Sequence, residues 1–67
     1  NLMILHIAQN SEQLANIYAV SGKYPESLKY AYAALKIYEM QNDSFQKGNM
    51  YRAIGYTYFN QNIFSEA

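Results

Sequence analysis

The sequence contains no cysteine and no tryptophan, one proline and three glycines among its 67 residues. Without cysteine, the chain has no disulfide and no thiolate that would act as a metal ligand or nucleophile. Charge is also sparse, with five basic and five acidic side chains and a formal net charge of zero. Binding of nucleic acid or of anionic membranes needs clustered Lys and Arg. We therefore expect neither nucleic acid nor a membrane surface as a partner.

Long hydrophobic runs are missing as well. The apolar run at residues 2–8 is far shorter than the roughly 20 residues that cross a bilayer. It has no basic segment before it and no small-residue cleavage site after it, so it is a poor signal peptide. We expect a cytoplasmic protein. The missing initiator Met and the abrupt end at Ala67 suggest a piece of a longer chain.

Tyrosine is the abundant residue. Eight Tyr and three Phe make up 16% of the chain. A tyrosine ring can close the edge of a thin core while its hydroxyl stays in contact with water. This composition favours helices packed in layers, each of them half exposed.

A first helix is predicted from about residue 5 to residue 21 by apolar and small residues at three- and four-residue spacing. Its expected packing face consists of Leu14, Ala15, Ile17, Tyr18 and Ser21. Asn10 and Gln13 also resemble a capping box, which would start a helix at Ser11 and leave residues 1–8 as the end of another. We favour the single longer helix.

A tight turn follows the first helix. Gly22 suits the left-handed residue that ends many helices. Pro25 suits the first position of the next helix, where its missing N–H costs nothing. Proline also favours an extended conformation at the preceding Tyr24. Because short turns join antiparallel neighbours, residues 5–41 are expected to form one helical hairpin.

The second helix is predicted over about residues 25–41. Its apolar stripe is Leu28, Ala31, Ala34, Leu35, Ile37 and Tyr38. Its solvated side is Glu26, Lys29, Lys36 and Glu39. Asp43, with Gln46 three residues later, is expected to cap a third helix over about residues 45–60.

The third helix is predicted to pack through a stripe of Tyr51, Ile54, Gly55 and Tyr58, with Met50 and Thr57 beside it. We expect Asn62 to end this helix as Gly22 ends the first, and Phe64 to begin a fourth helix that is cut off.

The chain repeats itself at an offset of 40 residues. Leu14 then matches Ile54, and Tyr18 matches Tyr58. The remaining matches are Ala15 with Gly55, Gly22 with Asn62, Tyr24 with Phe64, Glu26 with Glu66, and Ser27 with Ala67. The same order of large, small, aromatic, turn and aromatic residues recurs, which indicates an internal repeat. Leu5 falls on Phe45, which favours the longer first helix.

These residues resemble the tetratricopeptide repeat, a helical hairpin with large, small and aromatic residues on its first helix, a Gly-aromatic turn, and small residues on its second. The matching positions are Leu14, Ala15, Tyr18, Gly22, Tyr24, Ser27 and Ala34, and then Ile54, Gly55, Tyr58, Phe64 and Ala67. The period of 40 exceeds the family's usual length of about 34 residues. Long repeats of this kind are similar to those in bacterial signalling regulators, including peptide-pheromone receptors and sensors with kinase or GGDEF output domains.

The resemblance implies an all-α fold of antiparallel hairpins stacked as a solenoid fragment. Residues 1–67 would form one segment of about one and a half repeats, complete over residues 5–41 and partial over residues 45–67. It also implies a concave groove lined by the first helix of each unit, where family members usually bind peptides. The residues projected onto that side are Gln9, Glu12, Gln13, Asn16, Asn49, Arg52, Tyr56, Phe59 and Asn60.

The types of these residues suit a peptide ligand. Amides pair with peptide backbone as donors and acceptors, and aromatic residues such as Tyr56 and Phe59 anchor apolar side chains. The alternative is an ordinary wet surface, or one that packs on a neighbouring helix. Glu12 stands where a carboxylate clamp of the family would need Lys, which argues against an acidic chain terminus as ligand.

The sequence has no constellation that indicates an enzyme. The acidic residues are scattered, except that Asp43 lies four residues after Glu39 across a predicted helix end. The serines have no nucleophile motif, and the glycines form no phosphate-binding loop. His6 has no second histidine or carboxylate at ligand spacing, so a packed or surface role is favoured. We expect no catalytic residue, metal or cofactor.

The sequence therefore predicts a protein- or peptide-binding scaffold, part of a bacterial regulator. The alternative is a sensory segment that controls a catalytic output domain elsewhere in a longer protein. A repeat unit cannot bury both of its faces alone. Self-association through the open ends of the helical stack is therefore a further possibility.

Overall fold

The computed structural model describes residues 2–66, with side chains to residue 63. Over these residues the chain forms three helices and no strand: α1 is Leu2–Val20, α2 is Tyr24–Met40 and α3 is Ser44–Glu66. The predicted all-α class is confirmed. Because α1 is continuous, the alternative helix start at Ser11 is wrong.

The first turn is closed by two backbone hydrogen bonds. The Lys23 N–H donates to the Tyr18 carbonyl at 2.9 Å, and the Gly22 N–H donates to the Ala19 carbonyl at 3.1 Å. Gly22 has a φ of 79°, a conformation that glycine adopts without steric cost. The predicted end of the first helix at Gly22 is confirmed.

The second turn repeats this pattern 20 residues later in the sequence. The Asp43 N–H donates to the Tyr38 carbonyl and the Asn42 N–H to the Glu39 carbonyl, both at 3.1 Å. Asn42 takes the glycine position with a φ of 55°, which asparagine tolerates better than most residues. The Asp43 carboxylate accepts a hydrogen bond from the Gln46 N–H at 3.1 Å, so the predicted cap of α3 is confirmed.

The start of α2 differs from the prediction by one residue. Tyr24 is already the first helical residue and Pro25 is the second. Lys23 (ψ 73°) is the non-helical residue that precedes them. The expectation of an extended Tyr24 is wrong. The second N–H of a helix also lacks an intrahelical partner, so proline is tolerated there as well.

The turn expected at Asn62, and with it a fourth helix, is also wrong, because α3 continues to Glu66. Pro25 stands three residues after Gly22, and the capping Asp43 stands directly after Asn42. After Asn62 the same two positions are taken by Ser65 and Ile63, which are neither a proline nor a cap. Nothing local therefore stops α3. The predicted roles of the Phe64 side chain and of Ala67 lie outside the described residues.

α1 and α2 pack antiparallel. The Ser27 hydroxyl near the start of α2 donates to the Ala15 carbonyl near the end of α1, at 2.8 Å. The Tyr38 hydroxyl near the end of α2 donates to Glu12 Oε1 at 3.0 Å. Tyr18, nearer the end of α1, stacks on Tyr30 in the first half of α2, with ring centroids 5.6 Å apart.

α2 and α3 are also antiparallel. The hydroxyls of Tyr32 and Tyr58 are 3.2 Å apart, and the Tyr51 hydroxyl donates to Glu39 Oε2 at 3.2 Å. The Tyr32–Tyr58 contact joins the middle of α2 to the C-terminal half of α3. The Tyr51–Glu39 contact joins the end of α2 to the N-terminal half of α3. α2 is thus the central helix, and α1 and α3 both pack on it.

The buried core is small and rich in alanine. Its apolar members are Ala8, Ala15, Ala31, Ala34, Leu35, Tyr38, Met50 and Ile54, and its polar members are Ser27 and Thr57. The predicted stripe of α2 is confirmed. On α1, however, Leu14 and Ile17 are exposed, as is Ser21 directly after it, and on α3, Tyr51, Gly55 and Tyr58 are exposed. Those parts of the predicted packing faces are wrong.

The reason is that α1 and α3 pack through opposite faces. Ala8 and Ala15 of α1 are buried, whereas their counterparts 40 residues on, Gly48 and Gly55, are exposed. Conversely, the exposed Leu14 and Ile17 correspond to the buried Ile54 and Thr57. The spacing of apolar and small residues marks both faces of such a helix as possible packing faces. The neighbour that is present decides which face is buried.

We predict opposite effects for alanine at two of the glycines. Gly22→Ala should lower the free energy of unfolding by about 1–2 kcal/mol, because the left-handed conformation penalises a Cβ. Gly55→Ala should raise it by about 0.5–1 kcal/mol, because Gly55 lies within α3 and an added Cβ would meet no heavy atom within 4 Å.

Urea unfolding followed by circular dichroism measures both free energies, with Gly48→Ala as a second helical control. Equal effects at Gly22 and Gly55 would contradict the assigned backbone conformations.

Candidate functional site

A groove runs between α1 and α3, which lie side by side on α2. Three cavities of about 490, 420 and 240 Å³ occupy it, each lined from both helices. The lining residues of the two larger cavities are Gln9, Glu12, Gln13, Asn16, Gln46, Asn49, Arg52, Ala53 and Tyr56. We call this surface, together with the smallest cavity, the α1–α3 groove.

Seven of the nine residues predicted to line a groove lie in the two larger cavities: Gln9, Glu12, Gln13, Asn16, Asn49, Arg52 and Tyr56. Phe59 is exposed and Asn60 half-buried one turn further along α3, and neither lines these three cavities. Gln46 and Ala53 were not predicted. Both lie one helical turn from Asn49, so the same helical projection, continued along α3, would have included them.

One end of the groove is apolar. The cavity of about 240 Å³ is lined by Ala15, Asn16, Ala19, Val20, Ser27, Ala31, Ala53, Tyr56 and Thr57. Ser27 and Ala31 of α2 form the floor of this cavity, and most of the other lining side chains are also small. Val20 and Tyr56 are 89% and 66% exposed, so they offer apolar surface at the rim. This end of the groove was not predicted as a pocket.

The other end of the groove is polar and partly ordered by hydrogen bonds along α3. Arg52 Nη2 donates to Asn49 Oδ1 at 3.1 Å, and Asn49 Nδ2 donates to Gln46 Oε1 at 3.4 Å. Each of these pairs is three residues apart, the spacing at which helix side chains meet. Arg52 has five N–H donors, so its bond to Asn49 orients the guanidinium without using it up.

Glu12 lies on the α1 wall of the groove, across from Arg52, and is held by a residue of α2. It accepts the hydrogen bond of Tyr38, whose side chain is fully buried. Burial, the hydrogen bond to Glu12 and the charges of Glu12 and Asp43 together raise the pKa of Tyr38 to about 12. A buried hydroxyl and a groove-lining carboxylate therefore fix one another. Glu12 and Arg52 face the same 490 Å³ cavity.

Among the side chains described, at residues 2–63, no three His, Asp or Glu come close enough to hold a metal ion. None of the three helices combines the length and apolar character of a membrane span. Every buried side-chain nitrogen and oxygen of the described residues has a hydrogen-bond partner, so the core carries no orphaned polar group that would point to a ligand.

Comparison of the chain with protein-family models, with curated proteins and with solved structures finds no match. The features of this chain that bear on function are therefore the groove and the packing of the three helices.

Tyr38 gives a prediction for alkaline pH. Its folded-state pKa of about 12 lies above the ordinary value of 10.0. The protonated hydroxyl therefore stabilises the fold fully below pH 10, and this stabilisation is lost as pH rises towards about 12. Tyr38→Phe lacks the titrating group, so the stability difference between the native chain and Tyr38→Phe should shrink over that range.

Urea midpoints of both chains at about pH 8 and about pH 11.5 measure this difference. At about pH 8 we expect Tyr38→Phe to be less stable by roughly 1–2 kcal/mol, because the hydrogen bond to a charged acceptor is lost. A difference that stays constant between the two pH values would show that the pKa of Tyr38 is not raised, and would contradict its burial as well as its bond to Glu12.

Proposed function

We propose that this chain is a peptide-binding scaffold of the tetratricopeptide-repeat type that mediates protein–protein interaction. The observation that supports this most is the α1–α3 groove. Side chains assigned to a ligand surface from the sequence line two cavities of this groove that share Glu12. Gln9, Gln13 and Asn16 line one of them, and Asn49, Arg52 and Tyr56 line the other.

The repeat assignment is supported by the relation between the helices. α1, the Gly22 turn and α2 form a hairpin. α3 packs on α2 through the face whose counterpart on α1 is exposed. This is the packing expected when hairpins stack in a row and each contacts its neighbour. The long period of 40 residues favours a segment of a bacterial signalling regulator.

The chemistry of the groove favours an extended peptide with one apolar side chain. Amides dominate the polar end, and each amide can donate to and accept from peptide backbone. The apolar end has a cavity of about 240 Å³ with Tyr56 at its rim, which suits the insertion of one aliphatic side chain. Glu12 and Arg52 have opposite signs, so the groove selects neither strongly acidic nor strongly basic peptides.

A random-peptide phage library panned on the immobilised chain tests the proposal. Selected peptides, labelled with a fluorophore, are titrated with the native chain and with variants. Tyr56→Ala and Arg52→Glu should each weaken binding by about tenfold or more, because each residue lies at the centre of the groove and a tenfold change corresponds to about 1.4 kcal/mol.

Tyr51→Ala is the matched control. Tyr51 is an exposed tyrosine of the same helix whose hydroxyl bonds to Glu39 of α2, and it lines none of the three cavities of the groove. It should bind the selected peptides as the native chain does. Peptides that lose affinity for Tyr51→Ala, and keep it for Tyr56→Ala, would place the binding surface away from the groove.

A further inference from the structure

Two exposed tyrosines meet where α2 packs on α3. The hydroxyls of Tyr32 on α2 and Tyr58 on α3 lie 3.2 Å apart and share a hydrogen bond. Both side chains are nearly half exposed, at 46% and 43%, so solutes can reach them. Neither residue lines a cavity of the α1–α3 groove. We call these two residues the tyrosine pair.

The composition of the chain directs one-electron oxidation to tyrosine. Cysteine, tryptophan and tyrosine are the side chains that lose a single electron most readily, and the chain has neither cysteine nor tryptophan. Its three methionines react mainly with two-electron oxidants such as peroxides, which add oxygen to the sulfur. A one-electron oxidant therefore acts on the tyrosines of this chain.

The tyrosine pair is arranged for radical coupling. In dityrosine, a C–C bond joins two ring carbons that each lie next to the carbon bearing the hydroxyl. The two hydroxyls of the product are therefore neighbours, as those of Tyr32 and Tyr58 already are. Exposed side chains change rotamer in picoseconds to nanoseconds, so rotation about side-chain bonds brings the reacting carbons together while the helices stay packed. Because both rings belong to one folded chain, coupling needs no diffusional encounter.

We propose that the tyrosine pair is a modification site at which a one-electron oxidant, such as a haem peroxidase or a photo-oxidised metal complex, cross-links α2 to α3 as dityrosine. Two equivalents of oxidant take one electron from each phenol, and each phenol releases its hydroxyl proton to water. The two phenoxyl radicals join through a new C–C bond. Each bonded ring carbon then loses its hydrogen as a proton while the oxygen regains one, which restores both aromatic rings. In all, the chain loses two electrons and two protons.

The tyrosine contact between α1 and α2 is less suited to this reaction. Tyr18 and Tyr30 stack with their rings 8° from parallel, and both are half-buried, so an oxidant reaches them less easily. The Lys29 ammonium lies 5.7 Å from the centroid of the Tyr30 ring. A positive charge at that position opposes the removal of an electron from the ring. The cross-link is therefore expected between Tyr32 and Tyr58.

Photo-oxidation of the chain at micromolar concentration, with a ruthenium–bipyridyl sensitiser and persulfate, tests the proposal. The native chain should give a monomeric product that has lost the mass of two hydrogen atoms and shows the blue fluorescence of dityrosine. Tandem mass spectrometry of its tryptic peptides should find Tyr32 bonded to Tyr58. A monomeric cross-link between other tyrosines, or a product that consists mainly of covalent dimers, overturns the proposal.

Each member of the tyrosine pair has another tyrosine two residues away on the same helix, which supplies matched controls. Tyr32→Phe and Tyr58→Phe should each lose the monomeric dityrosine product, because phenylalanine has no hydroxyl to oxidise. Tyr30→Phe and Tyr56→Phe should form it in the same yield as the native chain. Equal losses in all four variants, or a loss in Tyr30→Phe but not in Tyr32→Phe, contradict the proposal.

Circular dichroism of each variant checks that the fold is kept. Tyr32 and Tyr58 are exposed and phenylalanine retains the ring, so the helices should be preserved. Should a variant fail to fold, the position of the cross-link in the native chain still decides. The tyrosine pair shares no residue with the α1–α3 groove, so cross-linking and peptide binding can succeed or fail separately.

Discussion

The close approach of α1 and α2 through small side chains is the contact on which the rest of this structure depends. Ala8 and Ala15 of α1 and Ala31 and Ala34 of α2 are all buried. The Ser27 hydroxyl reaches the backbone carbonyl of Ala15 across the interface, a bond that is possible only when two helix backbones lie near each other. Larger residues at these positions would separate the helices and widen the α1–α3 groove, whose floor is α2.

Tyrosine adds the apolar surface that a core made largely of alanine lacks. Alanines bury little apolar surface, and the stabilisation from burial grows with that surface. Tyr38 adds one large ring to the interior, while Tyr18, Tyr30, Tyr32 and Tyr58 bridge neighbouring helices at the rim through stacking or hydroxyl contacts. The abundance of tyrosine in the composition thus follows from helices that meet in a single thin layer.

Local signals in the sequence predicted the local features well. Gly22 and Asp43 each specify a helix end through their own backbone or side chain, and both predictions were confirmed. The one-sided stripe of α2 was also predicted, because its charged residues mark the opposite face. The position of most groove residues followed from the same helical projection.

Features that depend on a neighbour were not predictable. α1 has apolar residues on two faces, and its sequence does not say which of them α2 covers, so Leu14 and Ile17 were assigned to the wrong environment. Asn62 shows the same limit for turns. Asn42 adopts the left-handed conformation where Asp43 caps the next helix, whereas Asn62 lacks such a cap and stays helical.

The opposite burial of α1 and α3 has a consequence for how a protein of this kind can grow. If the hairpins stack in a row as proposed, a hairpin added before α1 by gene duplication would cover Leu14 and Ile17, and a helix added after α3 would cover Gly48 and Gly55. In neither case would a contact already present have to break. Lengthening by whole units therefore demands no compensating change in the existing interior, and the same three helices can persist unaltered within arrays of very different size.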